Sequence, residues 1–573
     1  MYIKMSDIEE GQSSLSVNEG IKTKSNYLRG TIANGLLDNV TGAICADDQQ
    51  LIKFHGIYQQ DNRDIREERR KQKLEPAYSF MIRARVPSGV FQSKHWLLFD
   101  KLASDYGEEN FRLTTRQAFQ LHGVIKTNLK QTIQKINYAL LDTLAACGDV
   151  NRNVMCSIAP HLGDVYHQIV AIGNDISAHL TPKTSAYHEI WLDGAKLDLE
   201  PNEETFEPIY GKTYLPRKFK IGIAIPPYND IDVYSQDLGL IAIIEKGELK
   251  AFNVVIGGGM GTTHSDNLTY PRAGSIIGSC LPGQVVDVAE KIVTIQRDFG
   301  DRQNRKHARF KYTIDDKGID WILTELNQRL GFSLDEDYQF KFNSSGDIYG
   351  WKKGENDEYS ITLFIPQGRI VDDELTLRSA LLEIAKIHDG EMILTANQNL
   401  VISRVSASQK IKIDSILDMH KILITKGLSK TRQRAMACVA LPTCALAMAE
   451  AERYLPDFIA KFDQLLDQND LHNSEVSIRI TGCPNGCARP FLSEIALIGK
   501  SPGIYNCYLG GSLSGDRLNK LYIENGSEQH ILEKLDELLK DYSINRLQTE
   551  PFGDFCIRQG HIAEVKEGRY FHA

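Results

Sequence analysis

Several things are missing from this 573-residue sequence, and each absence excludes a class of protein. No apolar run reaches the roughly 18 residues that a membrane-spanning helix requires. The opening stretch, Met1 to Glu10, has no apolar signal-peptide core, so a cytoplasmic location is expected. Positive charge is in deficit: 66 Lys and Arg stand against 75 Asp and Glu, a net charge of −9. That balance argues against a general nucleic-acid coat and, taken at face value, against anionic ligands. No phosphate-binding loop is complete. Gly257-Gly-Gly-Met-Gly261 is followed by Thr262, so it fails the G-x-G-x-x-G pattern, and no Walker sequence occurs. The run is either a tight turn or a turn whose amides meet a ligand.

What is present reads as an ordinary globular chain, 42% hydrophobic and 25% charged. Its length suits about three or four domains. Residues 1–75 read as an extended polar lead-in, ending in the mixed-charge stretch 61–75 before Pro76. An internal repeat follows. Val86-Pro-Ser-Gly89 precedes Leu113-Thr-Thr-Arg-Gln-Ala-Phe119, and Ile365-Pro-Gln-Gly368 precedes Leu394-Thr-Ala-Asn-Gln-Asn-Leu400. Each copy is entered by a β-like run (79–86; 359–365) and carries a helical stretch between its motifs (94–104; 375–387). The pattern predicts a duplicated α/β unit, 76–149 with 346–424, folded as one pseudo-two-fold domain. Its shared interface suits a large ligand. Residues 150–345, with strand-like runs at 219–225 and 240–244, and residues 425–573 complete an α+β, multi-domain chain of mixed α/β units.

Four of the ten cysteines fall between 438 and 487. Five residues separate Cys438 from Cys444, three separate Cys483 from Cys487, and a helical pattern from 445 to 466 lies between the pairs. A large chain without a signal peptide is expected to keep its thiols reduced, and the six scattered cysteines read as small buried hydrophobes. The four clustered thiols can hold an iron–sulfur cluster, close a tetrahedral zinc site, or remain buried; the five-residue spacer counts against zinc. Pro442-Thr443 looks like a helix start that would place Cys444 at a positive dipole end, with Pro490 serving Cys487 likewise. Basic residues also gather at motifs. Arg83 and Arg85 alternate on a strand, Arg112 and Arg116 flank Leu-Thr-Thr, and Arg152 sits in Asn151-Arg-Asn-Val-Met155. Lys218 and Lys220 lie two apart on one side of a strand, and 297–311 is rich in Lys and Arg. Charges beside apolar strand residues are costly unless they meet an anion, which points to one strongly anionic ligand.

Together these motifs resemble the sulfite/nitrite reductase family, and within it the haemoproteins of the NADPH-dependent assimilatory branch. The similarity runs from Ser25-Asn-Tyr-Leu-Arg-Gly-Thr31 to Phe552-Gly-Asp-Phe555. It is most specific in Thr481-Gly-Cys-Pro-Asn-Gly-Cys-Ala-Arg-Pro-Phe-Leu-Ser-Glu-Ile-Ala-Leu497. The resemblance implies a sirohaem joined to a [4Fe–4S] cluster. Cys438, Cys444, Cys483 and Cys487 would be the cluster ligands, with Cys487 also bridging to the sirohaem iron. Arg83, Arg152, Lys218 and Lys220 match the family's substrate pocket. Arg112, Arg116, His122, Arg217, Lys306, Gln398 and Asn485 match its cradle for the octacarboxylate sirohaem. The implied reaction is six-electron reduction of sulfite to sulfide for cysteine biosynthesis; nitrite reduction to ammonia on the same cofactors is the alternative. The implied partner is a flavoprotein alpha subunit delivering NADPH electrons in a hetero-oligomer, with ferredoxin as the other donor class. Neither nucleic acid nor membrane is an expected partner. Ala84 and Ser88 depart from the family pattern without removing a charged or ligating group.

Overall fold

The computed structural model describes residues 15–193, 207–422 and 425–573; the reading of Met1 to Glu10 lies outside them. Among the described residues, strands form four five-stranded sheets. In the first, β2 (Tyr78–Arg85) turns Phe80, Ile82 and Ala84 into the core and Met81, Arg83 and Arg85 to the opposite face. It lies between β1 (Ile57–Asp61) and β5 (Ala118–Val124), and β4 (Phe111–Leu113) continues the sheet. The fifth strand, β13 (Arg369–Ile370), comes from the second repeat copy. The second sheet reciprocates. Its strands β11 (Gly350–Lys353), β12 (Tyr359–Leu363), β15 (Leu400–Val405) and β14 (Glu391–Leu394) are completed by β3 (Val90–Gln92) of the first copy.

The apolar-Pro-x-Gly motif causes this exchange. Pro87–Gly89 and Pro366–Gly368 each form a 3-10 turn whose last two residues take positive φ: 56° and 77° at Ser88 and Gly89, 48° and 70° at Gln367 and Gly368. The turn carries the chain out of its own sheet and into its partner's. Glycine is required by contact as well as by φ. A Cβ on Gly89 would sit 2.6 Å from the Leu394 carbonyl, and one on Gly368 would sit 2.2 Å from the Leu113 carbonyl. Gly368→Ala is therefore expected to cost about 2 kcal/mol or more, read as a lower urea midpoint.

The remaining sheets repeat a second topology. β6 (Met155–Cys156), β7 (Ile221–Ala224) and β8 (Leu238–Glu245) run parallel, followed by antiparallel β9 (Glu248–Ile256) and β10 (Ser275–Cys280). β16 (Met436–Ala437), β17 (Ile478–Thr481) and β18 (Ile495–Ser501) also run parallel, followed by antiparallel β19 (Ile504–Leu509) and β20 (Lys520–Ser527). A long helix follows each, Val285–Phe299 and Glu528–Asn545. The duplication thus extends well beyond the two sequence motifs.

Three expectations are corrected. The lead-in is not an extended arm: 17–24, 32–37 and 46–51 are helical, and Leu28, Ile32, Leu51 and Phe54 are buried in the main core. Their spacing among polar residues concealed a short-helix pattern. The helix expected from 445 to 466 occupies only Leu455–Gln468, because the amides of Met448 and Ala449 donate to the Gly482 carbonyl instead of continuing a helical ladder. Cys444 therefore lies in a turn, not at a helix start, and Pro490 opens only a three-residue 3-10 turn.

Candidate active site and cofactor cradle

Parallel pairing of β16 with β17 brings both cysteine-bearing loops out at the carboxyl ends of neighbouring strands, where α/β sheets place ligands. Cys438 follows β16, and its amide donates to the Ile480 carbonyl at 3.2 Å. Its Sγ accepts from the Gly482 amide at 3.4 Å, and Cys483 Sγ accepts from Asn485 Nδ2 at 3.3 Å. The Cys487 carbonyl accepts from Thr115 Oγ1 at 3.0 Å, tying this loop to the first repeat copy. Burial raises the Cys438 thiol above its usual range, and Cys487, Cys483 and Cys444 push it the same way. Burial and Cys487 raise Cys444 and lift Cys483 to about 11, each despite hydrogen bonds that favour the thiolate. All four sulfurs thus lie within electrostatic reach of one another. Holding them as thiolates requires a cationic centre, which an iron–sulfur cluster supplies. Among the described residues, no three Cys, His, Asp or Glu side chains are arranged to hold a single metal ion, which disfavours zinc.

Beside these thiols lies a recess of uncompensated positive charge. Phe219 forms a bridge to Asn151 and is buried, so Lys218 and Lys220 on either side of it share the opposite face, just before β7 begins. Neither lysine has a hydrogen-bonding or ion-pair partner for its amine among the described residues. Burial drives Lys218 well below the ordinary lysine range, and Lys220, Arg217, Arg152 and Arg309 add to it. Burial does the same to Lys220, aided by Arg309 and Arg116, while Asp237 and Cys487 oppose it. Burial and neighbouring guanidiniums lower Arg116 to about 9. Burial also leads in lowering Arg217 to about 10. Arg83 Nη1 donates to Cys147 Sγ at 2.7 Å, and Arg152 donates to the Gly148 carbonyl at 3.2 and 3.3 Å; neither meets a carboxylate. Arg83 Nε, Arg116 Nε and His122 Nε2 are buried without partners. Such a site is complete only with an anion.

A pH dependence follows from those lysines. Only their protonated forms attract an oxyanion, so phosphate affinity should fall as pH rises through their depressed pKa values, well before an exposed lysine titrates. Calorimetric titration across pH checks this; affinity constant up to the exposed-lysine range would contradict it.

The structure brings most of the expected cradle residues into this region. His122 is buried, with Nδ1 3.0 Å from Gln60 Oε1, and burial, then Arg112 and Arg83, keep it neutral. Arg112 turns to Glu452 at 3.1 Å. Gln398 belongs to the second copy, where its Nε2 donates to the Gln367 carbonyl at 3.0 Å. Lys306 stands apart: its side chain is 58% exposed and pairs with Asp266 at 3.0 Å. Three residues on, Arg309 is buried, forks onto Asp237 at 3.0 Å through Nη2, and leaves Nε without a partner. Sequence reasoning marked the basic stretch but chose the exposed member. It also missed Tyr58, which lies under the Arg83 guanidinium at 6.0 Å. The glycine run is a seat for the cysteine loop: Thr262 donates its amide to the Pro484 carbonyl at 2.9 Å, and a Cβ on Gly486 would lie 2.7 Å from the Met260 carbonyl.

Comparison with known proteins agrees with this arrangement. Residues 72–138 and 352–420, within the two repeat copies, match the nitrite/sulfite reductase ferredoxin-like half domain. Residues 173–334 match the nitrite and sulphite reductase 4Fe-4S domain. The sulfite reductase [NADPH] hemoprotein beta-component of Oceanobacillus iheyensis is 55% identical over 569 residues, covering 99% of this chain and 98% of that one. Its namesake from Staphylococcus saprophyticus is 56% identical over 556 residues, 97% of each chain. The structure of Mycobacterium tuberculosis NirA protein shares the fold, with a TM-score of 0.76 over 95% of this chain and 96% of that one at 21% identity. By its sequence along nearly its whole length, and by its duplicated half domains, this chain belongs to the nitrite and sulfite reductase family.

Proposed function

We propose that this chain is the haemoprotein component of an assimilatory sulfite reductase, reducing sulfite to sulfide with electrons from NADPH. One observation carries the reading: four mutually interacting thiols adjoin a recess of unpaired Lys and Arg, and Cys487 and Lys220 sense each other across the join. Cys438, Cys444, Cys483 and Cys487 would hold the [4Fe–4S] cluster. Arg116, Arg217, Arg309, His122, Gln398 and Asn485 would receive sirohaem, whose carboxylates answer the unpartnered donors. When bound, the two cofactors supply six electrons to the sulfur atom of the substrate.

The chain's own residues handle charge and protons. Arg83 and Arg152 present guanidinium forks to sulfite oxygens. Lys218 and Lys220, with depressed pKa values, can release protons that an ordinary lysine would retain. Each of the three oxygens leaves as water and takes two protons, so sulfite, six electrons and six protons yield sulfide and three waters. No nucleotide-binding motif is complete in the sequence, so NADPH is handled by a flavoprotein alpha subunit joined to this chain in a cytoplasmic hetero-oligomer. Among the described residues, no helix is long and apolar enough to cross a membrane.

The test is product analysis on chain purified from cells that make sirohaem. Sulfide from sulfite should form with a much higher kcat/KM than ammonium from nitrite. A folded but colourless, iron-free preparation would end the reading.

A further inference from the structure

We infer that Arg489, paired with Asp232, is the positioning residue that fixes Cys487 against both repeat copies at the pseudo-two-fold axis. The inference rests on the sulfite reductase reading but on separate residues. Asp232 lies in the β7–β8 connection and Arg489 in the equivalent β17–β18 connection, each six positions before its next strand. Both take left-handed backbone, φ 48° and 52°, and both lead into a 3-10 turn, Val233–Ser235 and Pro490–Leu492. These equivalent residues meet each other, with side chains 1% and 5% exposed. Arg479 adds a second fork onto Asp232 at 2.6 and 3.2 Å. Burial raises the Asp232 carboxyl, yet the two guanidiniums outweigh it and hold the group below its usual range.

The rest of the Arg489 fork is also symmetric. Nη1 donates to the Thr115 carbonyl at 2.8 Å and Nη2 to the Ala396 carbonyl at 2.9 Å. Thr115 and Ala396 are the third residues of Leu113-Thr-Thr and Leu394-Thr-Ala, the same place in each copy. One planar guanidinium therefore spans the axis and grips both copies, which a lysine cannot do. Thr115 returns the contact through its hydroxyl, which donates to the Cys487 carbonyl at 3.0 Å. Cys487, Arg489 and Thr115 form a closed loop of bonds. The same clamp precedes Arg116 in one copy and Gln398 in the other, so both copies are registered to one cysteine.

Arg489→Lys keeps the charge and the Asp232 pair but cannot reach both carbonyls. With iron and sirohaem content retained, kcat should fall roughly tenfold while KM for sulfite stays within about twofold, because Arg489 lies outside the anion recess. The midpoint potential of the cluster, measured by redox titration, should shift from the wild-type value. A merely structural role would lower thermal stability or yield and leave both the potential and kcat per sirohaem unchanged; that result overturns the inference. Should Arg489→Lys not fold, Thr115→Val removes only the hydroxyl on Cys487, and an unchanged potential and kcat there overturn it equally. A wild-type protein lacking sirohaem would instead sink the functional reading beneath it.

Discussion

Cys487→Ser is expected to lower sulfite turnover by about 10³-fold or more, a barrier increase of about 4 kcal/mol. Iron content and both visible chromophores should change together. The physical case rests on position. Of the four thiols, Cys487 alone is exposed toward solvent in the described structure, and it alone senses the recess lysine Lys220. Its carbonyl is held by Thr115 of the first copy, so its place is fixed from the side of the anion recess. Serine keeps the size but loses the soft thiolate that iron prefers. Cys45→Ser, at an exposed position, should leave colour and turnover unchanged and serves as the control. Retained absorption and iron in the Cys487 variant would remove it from the ligand set.

Lys218→Ala should separate binding of cofactors from chemistry. The visible spectrum and iron content are expected to match wild type, while kcat for sulfite falls roughly 10²-fold. Removing one of several crowded cations also relieves repulsion on Lys220 and Arg217, whose pKa values are depressed in part by their neighbours. The variant is accordingly expected to be at least as stable as wild type without substrate, and less responsive to added phosphate. Steady-state assays with matched thermal melts give both readouts. Normal turnover would take Lys218 out of the catalytic group.

The sequence carried the parts of this site that depend on local chemistry. Two close cysteine pairs, the paired Leu-Thr-x-x-Gln segments and the Lys218–Lys220 alternation are each short-range patterns, and all three mark real structural features. What escaped was set by long-range packing. Lys306 and Arg309 are equally basic on paper, and only the turn before the helix Phe310–Lys317 decides which one faces inward. The second duplicated sheet left no repeated motif, because apolar strand residues exchange freely when volume and pattern are kept. The turn at Cys444 depends on the Gly482 carbonyl, 38 residues beyond that cysteine, capturing amides that would otherwise build a helix. Net charge misled for the same reason: ion-paired acids occupy much of the surface, whereas the recess gathers cations with no acid to meet them.

The reciprocal loan of β3 and β13 has one more consequence. Each copy closes its sheet only with a strand from the other, the arrangement found when two identical chains swap an element. Here the two partners are joined by a covalent tether, so the swapped strands meet at a high effective concentration, millimolar for short linkers. Neither half needs the affinity that a free dimer would require. The tether also frees the halves to diverge, since only one of them must keep the thiols and only the other must keep the lysines.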